Sequence, residues 1–374
     1  MSRLDIAFVV PSLVRGGAER VTVNLANGLA ERGDRIRILV TGTDVPLASS
    51  LSPSVEMVLL GRPRVRHALR PLLRVLRSEP PNIVFSTHAD VNLALCAISP
   101  RFRAETHLVL REPTYAPVEL GGRSTRFARS AQRLLYRRAA HVVASNNVLA
   151  RDLAELTNAP VTRLENPVDV DGIRRLAEAS CAENVSDSSL ERGRRFVSVG
   201  RLHAQKSMDE LILAFASGAC DNDQLTIVGD GPERSALEQL ILDKNLGHRV
   251  HLPGHRDNPW AEVAVADVLV LASRNEGTPN AVLEALALGT PALATSDLVV
   301  LEDLAREVGP EGLLLVPRAA FPSALATVPR RTGPYPRPSL LPERFALTGA
   351  VDAFYGVLHR LPEPSRSGQQ TEQD

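Results

Sequence analysis

Two carboxylates and two cations in the second half of the chain have a spacing that suits a ligand with both phosphates and hydroxyls. Glu276 lies in a polar loop after an apolar run, and Glu284 lies eight residues later in a predicted helix. Arg201 follows the end of another apolar run, and Lys206 stands at the start of the next predicted helix. Carboxylates accept hydrogen bonds from hydroxyl groups, and cations neutralise phosphate. The two carboxylates, with a helix start between them, suit a ligand that carries both a diphosphate and sugar hydroxyls, and the two cations are candidates for its phosphates.

The loop after Glu276 leads into a short helix whose start can bind an anion. Pro279 stands where the first turn begins, and Gly289 follows the last predicted helical residue, an asymmetry typical of a helix with defined ends. Unpaired N–H groups and a partial positive charge at the helix start suit phosphate. We predict that four residues here contact the ligand: Gly277, Thr278, Pro279 and Asn280.

The string EGTPNAVLEALALGTP, residues 276–291, resembles the signature of retaining glycosyltransferase family 4. That family uses nucleotide sugars and has the two-domain GT-B fold. The resemblance implies that Glu276 holds the donor sugar and that Glu284 holds the ribose hydroxyls. Considered alone, two glutamates at this spacing are more often an ordinary loop acid and a solvated helix residue.

The segment VGRLHAQK, residues 199–206, resembles the phosphate-binding pattern of the same family. The resemblance implies that Arg201 and Lys206 clamp the two phosphates, the alternative being a coincidental surface pair. Lys206 is one of two lysines in a chain that otherwise uses arginine, which indicates a compact point charge at this position. No Asp-x-Asp pair lies in a convincing loop, so we expect fixed cations to stabilise the leaving diphosphate without a metal or other cofactor.

Two further segments of the second half resemble parts of the family's nucleotide pocket. VGDGPER, residues 228–234, resembles a glycine turn, which implies that Gly229 and Gly231 shape the pocket. Plain turn formation explains these glycines nearly as well. LPGHRDNPW, residues 252–260, resembles the segment that contacts the nucleobase edge, which makes His255 and Arg256 candidate donor-binding residues.

Near the amino terminus, Gly16 and Gly17 separate an apolar run from a predicted helix, so the backbone there can approach a ligand closely. A simple tight turn is the alternative. A nicotinamide-dinucleotide fold is disfavoured because VRGGAER lacks the third glycine in register and only the late Asp44 follows the next strand. In the resembled family, a Gly-Gly turn here faces the donor phosphates and the acceptor.

Arg111 and Glu112 end a predicted strand of the first half, within the sequence REP. Many family members have a histidine after this strand. The sequence REP instead resembles the family's ERN-x-P variant, except that this chain lacks the asparagine. The resemblance implies that both residues contact the sugar, which places them with Glu276 as candidate catalytic residues. No carboxylate stands out as a covalent nucleophile, which is consistent with a front-face retaining mechanism in which the leaving phosphate takes the acceptor proton.

Apolar strand-like runs alternate with amphipathic helices along the chain, which indicates open parallel sheets. The predicted fold class is α/β of the GT-B type, with two Rossmann-like doubly wound parallel-sheet domains facing a cleft. We predict an acceptor-binding domain over 1–168 and a donor-binding domain over 169–342. Residues 343–360 form a predicted helix that crosses back to the first domain, and 361–374 a disordered tail.

The overall charge of zero hides an asymmetry. Residues 1–165 contain 23 arginines, no lysine and 14 acidic residues, a net charge of +9, so the remainder carries −9. This basic excess predicts an anionic partner such as a lipid head group, a diphosphate carrier or an acidic glycan. Nucleic acid is not an expected partner. Basic amphipathic segments over 62–77 and 121–141, the first with a predicted interruption at Pro71, predict peripheral association with an anionic membrane; a solvated face is the alternative.

Cellular location follows from what the sequence lacks. The three cysteines show no disulfide or metal-binding spacing, and no run approaches the roughly 18 apolar residues that span a bilayer. The first apolar run is also too short for a signal peptide. We therefore expect a cytoplasmic protein that can act at the inner face of the membrane.

Together these features predict a retaining hexosyltransferase that uses a nucleoside-diphosphate sugar, with a UDP-sugar as the expected donor. The expected acceptor is a glycan or lipid-linked saccharide in polysaccharide or glycoconjugate biosynthesis. A non-hydrolysing UDP-sugar epimerase shares the fold and stays open. A sugar phosphorylase would need a pyridoxal lysine, and lysine is scarce. An inactive scaffold would be expected to lack the candidate phosphate and sugar residues, and all four are present: Arg201, Lys206, Glu276 and Glu284.

Overall fold

The computed structural model describes residues 3–62, 64–114, 125–181, 193–331 and 335–361. The chain forms two compact units. Unit 1 comprises Met1–Pro167 and Leu347–Asp374, and unit 2 comprises Val168–Ala346. Each unit contains one sheet whose neighbouring strands are all parallel, with helices between successive strands. This confirms the predicted α/β class with two doubly wound parallel sheets.

Unit 1 contains a seven-stranded sheet in the order β3-β2-β1-β4-β5-β6-β7. Its strands are β1 (Asp5–Val10), β2 (Arg35–Val40), β3 (Val55–Leu59), β4 (Ile83–Ser86), β5 (His107–Glu112), β6 (His141–Ala144) and β7 (Val161–Arg163). The helices before the domain junction are α1 (Gly17–Glu31), α2 (Val65–Ser78), α3 (Ala89–Ile98), α4 (Thr125–Leu135) and α5 (Asn147–Leu156). The central strands β1 and β4 are almost entirely buried because helices cover both faces of the sheet.

Unit 2 contains a six-stranded sheet in the order β10-β9-β8-β11-β12-β13. Its strands are β8 (Arg195–Val199), β9 (Gln224–Val228), β10 (Val250–Gly254), β11 (Val268–Leu271), β12 (Ala292–Thr295) and β13 (Leu313–Val316). Its helices are α6 (Val170–Cys181), α7 (Met208–Gly218), α8 (Arg234–Asp243), α9 (Trp260–Val265), α10 (Asn280–Ala287), α11 (Glu302–Gly312) and α12 (Phe321–Thr327).

The final helix, α13 (Leu347–Leu358), packs into the core of unit 1. The ring of Phe354 lies 4.8 Å from that of Phe85 on β4, measured between ring centroids. The helix begins four residues later than the sequence suggested, because Glu343–Phe345 forms a separate 3₁₀ turn. The predicted disordered tail lies, from residue 362 onward, outside the described residues.

Helix α2 corrects one expectation, because it continues through Pro71 without the predicted interruption. A proline inside a helix removes one hydrogen bond and strains the preceding turn. Here the apolar stripe of Ala68, Leu72 and Leu76 is buried and stabilises the helix on both sides of the proline. The residue that loses its partner, His67, is exposed, so water can solvate its carbonyl group.

Among the helices of the described residues, none combines the length and the apolar character needed to cross a bilayer.

Candidate functional site

The strand order of unit 2 reverses at its centre, where β8 and β11 are neighbours. From β8 the chain builds the sheet outward through β9 and β10, then returns to β11 and builds outward on the other side. At such a reversal, the loops that leave two neighbouring strands diverge and form a crevice at the carboxyl edge of the sheet. One of these loops carries Arg201 and Lys206, and the other carries Glu276. The topology therefore brings the predicted phosphate and sugar residues to one place.

Lys206 and Glu276 form an ion pair across this crevice, although they are 70 residues apart in sequence. The Nζ atom of Lys206 donates a hydrogen bond to Oε1 of Glu276 at 2.5 Å, and the two side chains are 22% and 9% exposed. The loops are also joined by two further hydrogen bonds. Gln205 Nε2 donates to the carbonyl oxygen of Asn275 at 2.6 Å, and the Arg274 N–H donates to the carbonyl oxygen of Gln205 at 2.9 Å. A cation and a carboxylate are thus held side by side at the edge of the sheet.

Helix α10 is separated from Glu276 by three residues, starts where predicted and ends at Ala287, one residue before the predicted end. It begins at Asn280 after Pro279, and Gly289 adopts a φ of +73° just beyond its end. Gly277 and Thr278 connect Glu276 to this helix start and are half-buried. The four residues predicted to contact a ligand therefore form a continuous segment at the amino terminus of α10, next to the ion pair.

Glu284 lies on α10 and accepts a hydrogen bond from Trp260, whose Nε1–H lies 2.9 Å from Oε2. Trp260 is 4% exposed and begins helix α9. The indole therefore fixes the orientation of the carboxylate. The sequence-based site did not include Trp260. Its position in the segment LPGHRDNPW, and its being the one tryptophan in the chain, were the signals that could have found it.

Gly229 and Gly231 lie where two loops pack backbone against backbone. A Cβ atom on Gly229 would lie 1.8 Å from the carbonyl oxygen of Gly200, and one on Gly231 would lie 2.2 Å from that of Leu202. Larger residues cannot fit there without displacing the loop that carries Arg201. Close backbone packing therefore explains why both positions are glycine, and their contribution to a nucleotide pocket stays a prediction. Arg201 itself is exposed.

His255 and Arg256 lie on the exposed loop that follows the edge strand β10. His255 Nε2 lies 3.4 Å from Oδ1 of Asp257, and Arg256 Nε lies 3.8 Å from Oε1 of Glu262. A hydrogen bond from the Gly229 N–H to the carbonyl oxygen of Gly254 joins this loop to the one after β9. Both residues share the carboxyl edge of the sheet with Arg201, and their contact with a nucleobase stays a prediction.

Gly16 and Gly17 lie in unit 1, after β1, where the strand order of the first sheet reverses between β1 and β4. Gly17 is the first residue of α1. A Cβ atom on Gly16 would lie 2.2 Å from Oε2 of Glu19. The other carboxylate oxygen of Glu19 lies 3.3 Å from Nε2 of His88, which follows β4. Gly16 therefore leaves space for this carboxylate at the carboxyl edge of the sheet.

Arg111 and Glu112 are almost completely buried in unit 1, at 0% and 1% exposure. Arg111 Nη2 donates a hydrogen bond to Oδ1 of Asn166, and burial lowers the pKa of Arg111 to about 10. Oε1 of Glu112 accepts hydrogen bonds from Nδ2 of Asn92, at 2.9 Å, and from the hydroxyl group of Tyr136. The sequence predicted sugar contacts here. The burial of these side chains gives them a structural role, and contact with a sugar stays a prediction.

A metal centre was not predicted, and within the described ranges no three His, Cys, Asp or Glu residues are grouped closely enough to hold an ion.

Two family models match the chain. Glycosyltransferase Family 4 matches residues 15–171, and Glycosyl transferases group 1 matches residues 183–326. The first match lies largely in unit 1. The second lies in unit 2 and contains the Lys206–Glu276 pair and Glu284. Together the two matches account for most of the sequence.

Three curated relatives are 25% to 27% identical to this chain over the aligned residues. The lipopolysaccharide core biosynthesis glycosyltransferase LpsD of Rhizobium meliloti is 27% identical over 289 residues, 75% of each protein. An N-acetylgalactosamine-N,N'-diacetylbacillosaminyl-diphospho-undecaprenol 4-alpha-N-acetylgalactosaminyltransferase of Campylobacter jejuni is 26% identical over 308 residues, 78% of this chain and 80% of that protein. An uncharacterised glycosyltransferase of Methanocaldococcus jannaschii is 25% identical over 242 residues, which span 60% of this chain and 58% of that protein.

Solved structures share the fold. HepE of Anabaena, in complex with UDP and glucose, superposes with a TM-score of 0.70 at 17% identity, covering 96% of this chain and all of the other. At this identity the similarity establishes the architecture alone. The family matches, the named relatives and the GT-B architecture agree, and the chain belongs to the family 4 and group 1 glycosyltransferases.

Proposed function

We propose that this glycosyltransferase moves a sugar, with retention of anomeric configuration, from a UDP-sugar to a glycan or lipid-linked acceptor in polysaccharide or glycoconjugate biosynthesis. The observation that carries the proposal is the Lys206–Glu276 ion pair at the strand-order reversal of unit 2. The Campylobacter relative, whose name contains a diphospho-undecaprenol acceptor, supports a lipid-linked acceptor. The complex of HepE with UDP and glucose supports UDP as the nucleotide.

In the proposed mechanism, binding of the donor breaks the Lys206–Glu276 ion pair, and the two side chains then contact different parts of the donor. The ammonium group of Lys206 and the exposed guanidinium group of Arg201 turn to the diphosphate and neutralise the charge that develops as it leaves. Glu276 is then released from Lys206 and accepts hydrogen bonds from the sugar hydroxyls. The N–H groups at the start of α10 add to the positive potential at the same point.

At the other end of the donor, Glu284 accepts hydrogen bonds from the ribose hydroxyls, and Trp260 holds its carboxylate in place. His255 and Arg256 are the proposed contacts to the base. The leaving phosphate takes the proton of the acceptor hydroxyl, so transfer proceeds on one face of the sugar without a covalent enzyme intermediate. Because Arg201 and Lys206 are the proposed cations for the diphosphate, chelation of divalent metals is expected to leave turnover unchanged.

Unit 1 is the proposed acceptor side. Its net charge of +9 over residues 1–165 suits an anionic acceptor such as a lipid diphosphate. The same charge supports association with the anionic inner face of a membrane, where such acceptors reside.

The first test compares the two lysines of the chain. Lys206→Ala is expected to weaken UDP binding about tenfold and to leave uridine binding unchanged, since one charge-assisted contact to phosphate is worth about 1.5 kcal/mol. Lys244→Ala, at an exposed position of the same unit, is the matched control. Calorimetric titration measures both affinities. Equal losses for UDP and uridine in Lys206→Ala would contradict a phosphate role.

Donor and stereochemistry are tested next. A thermal-shift screen of UDP-, GDP- and ADP-sugars identifies the donor, because a ligand that binds only the folded protein raises its melting temperature. The anomeric configuration of the product, measured by NMR, then tests retention. Formation of an epimer from UDP-N-acetylglucosamine without any acceptor would instead indicate the epimerase.

A further inference from the structure

Arg318 lies in unit 2, two residues beyond β13, and reaches back to the end of β11. Its Nη1 atom donates a hydrogen bond to the carbonyl oxygen of Ala272 at 2.9 Å, and its Nη2 atom donates to that of Ser273 at 3.3 Å. These two residues begin the loop that leads to Glu276. The pairing of β11 with β12 ends at Leu271, so the guanidinium group supplies donors to carbonyl groups just beyond the last ladder pair.

Two carboxylates from different elements hold the guanidinium group in this position. Glu210 on α7 lies 2.5 Å from Nη1 of Arg318, and Asp297, which follows β12, lies 2.9 Å from Nη2. Glu210 also accepts a hydrogen bond from Arg274 at 2.7 Å. Hydrogen bonds from Arg274 and Arg318 lower the pKa of Glu210, so the carboxylate stays ionised at neutral pH.

This cluster connects both halves of the proposed diphosphate site. Glu210 lies four residues after Lys206, in the first turn of α7. On the other side, Arg318 holds the residues that precede Glu276, and Arg274 belongs to the same loop. A guanidinium group is suited to this role because its planar fork makes several hydrogen bonds in fixed directions.

We propose that Arg318 is a positioning residue for donor binding: by holding the end of β11 to α7, it sets the distance between Lys206 and Glu276. The proposal rests on the proposed function, because it assumes that this pair receives the sugar diphosphate. Arg318 itself touches neither residue of the pair among its hydrogen bonds and ion pairs in the described ranges.

A purely structural surface cluster would behave differently. The side chains of Arg318, Glu210 and Asp297 are 31%, 30% and 48% exposed, and exposed ion pairs contribute little to stability. If Arg318 contributed only an exposed ion pair, its removal would leave the affinities for UDP and uridine unchanged. If the carbonyl contacts position the loop, diphosphate affinity falls while nucleoside affinity is kept.

The test substitutes Arg318→Gln and measures UDP and uridine binding by calorimetry. Arg306→Gln is the matched control, because Arg306 also pairs with two carboxylates, Glu302 and Asp303, but is 70% exposed and on the surface of α11. Arg318→Gln is expected to weaken UDP binding about tenfold and uridine binding less than twofold, whereas Arg306→Gln changes neither. Asp297→Asn, which removes one anchor of Arg318, gives a smaller loss of the same kind.

Arg318→Lys separates geometry from charge, because it keeps the cation but cannot span two carbonyl groups and two carboxylates. We expect it to resemble Arg318→Gln. Wild-type UDP affinity in Arg318→Gln, or an equal loss for UDP and uridine, overturns the positioning role. If Arg318→Gln does not fold, Asp297→Asn is the deciding variant. An unchanged affinity for UDP in Asp297→Asn then overturns the positioning role. If the wild-type protein binds none of UDP, GDP and ADP, the proposed function itself fails, and this inference fails with it.

Discussion

Glu112 in unit 1 and Glu276 in unit 2 are both carboxylates at the carboxyl edge of a parallel sheet, yet their surroundings differ. Glu112 is the last residue of β5, is 1% exposed and accepts hydrogen bonds from Asn92 and Tyr136. Glu276 lies five residues beyond β11, in a loop, and has the long side chain of Lys206 as its partner. An acid near a strand end can therefore belong to a buried core or to a loop at the edge of the sheet.

Depth in the structure explains the difference. A buried carboxylate is tolerated only when hydrogen-bond donors satisfy it. If the donors of Asn92 and Tyr136 moved away, the carboxylate of Glu112 would be buried without them, which is energetically unfavourable. Burial and the nearby Glu112 carboxylate raise the pKa of Tyr136 well above its usual value, so its hydroxyl group stays protonated as a donor. Lys206 is 22% exposed and can rotate away to water or to a phosphate, so Glu276 can exchange partners at little cost.

The largest expected effect concerns Glu112, the buried carboxylate of unit 1. Glu112→Ala removes one of the two acceptors of Asn92 Nδ2, which keeps the carbonyl oxygen of Arg111, and removes the Glu112 acceptor of the Tyr136 hydroxyl group. It is expected to lower the stability of unit 1 by about 3 kcal/mol. Urea unfolding followed by circular dichroism reports on both units, whereas the fluorescence of Trp260, the one tryptophan, reports on unit 2.

We expect the circular dichroism transition to move and the fluorescence transition to stay close to that of the wild type. Glu105→Ala, at an exposed position before β5, is the control. A variant at Glu112 with wild-type stability and no turnover would instead favour the sugar-contact role predicted from the sequence.

The second prediction concerns Glu276, the carboxylate in the loop of unit 2. Glu276→Ala is expected to reduce sugar transfer about a hundredfold, because the donor sugar is no longer oriented for reaction. Its melting temperature should stay within about 3 °C of the wild type, because the partly exposed ammonium group of Lys206 can turn to water when its partner is removed. Glu238→Ala on α8, whose carboxylate pairs with Arg234 and is 48% exposed, is the matched control. Full activity in Glu276→Ala would remove this residue from the site.

The smallest expected effect concerns Ser207, the residue between Lys206 and α7. It adopts a left-handed conformation with φ of 49°, is fully buried, and its Oγ atom has no hydrogen-bond partner in the described part of the chain. Ser207→Gly removes both the strain and the unpaired hydroxyl group, and should raise stability by about 1 kcal/mol after the entropic cost of glycine in the unfolded chain.

Ser207→Ala separates the two contributions, because it removes the hydroxyl group and keeps the backbone strain. We expect the melting temperature to rise more for Ser207→Gly than for Ser207→Ala. A lower melting temperature for Ser207→Gly than for the wild type would show that this loop is not strained at Ser207.

Much of the fold followed from local patterns. The runs that form β1 and β11 are apolar because helices cover both sheet faces, and Pro279 and Gly289 delimit α10 because each suits one helix end. The continuity of α2 through Pro71 was missed, because the burial of its apolar stripe outweighs the local cost of proline. Arg318 and Trp260 were missed because their partners lie 46 and 24 residues away in sequence.

The sequence by itself determined which residues could form a donor site: the motif over 276–291, the Arg201–Lys206 segment and the helix start between the two glutamates. The tertiary structure decided that β8 lies beside β11, and hence that Lys206 meets Glu276 while Glu112 is buried. The physical reason is range. Helix ends and strand periodicity depend on hydrogen bonds and side chains within a few residues, whereas strand order depends on how the whole unit buries its apolar surface.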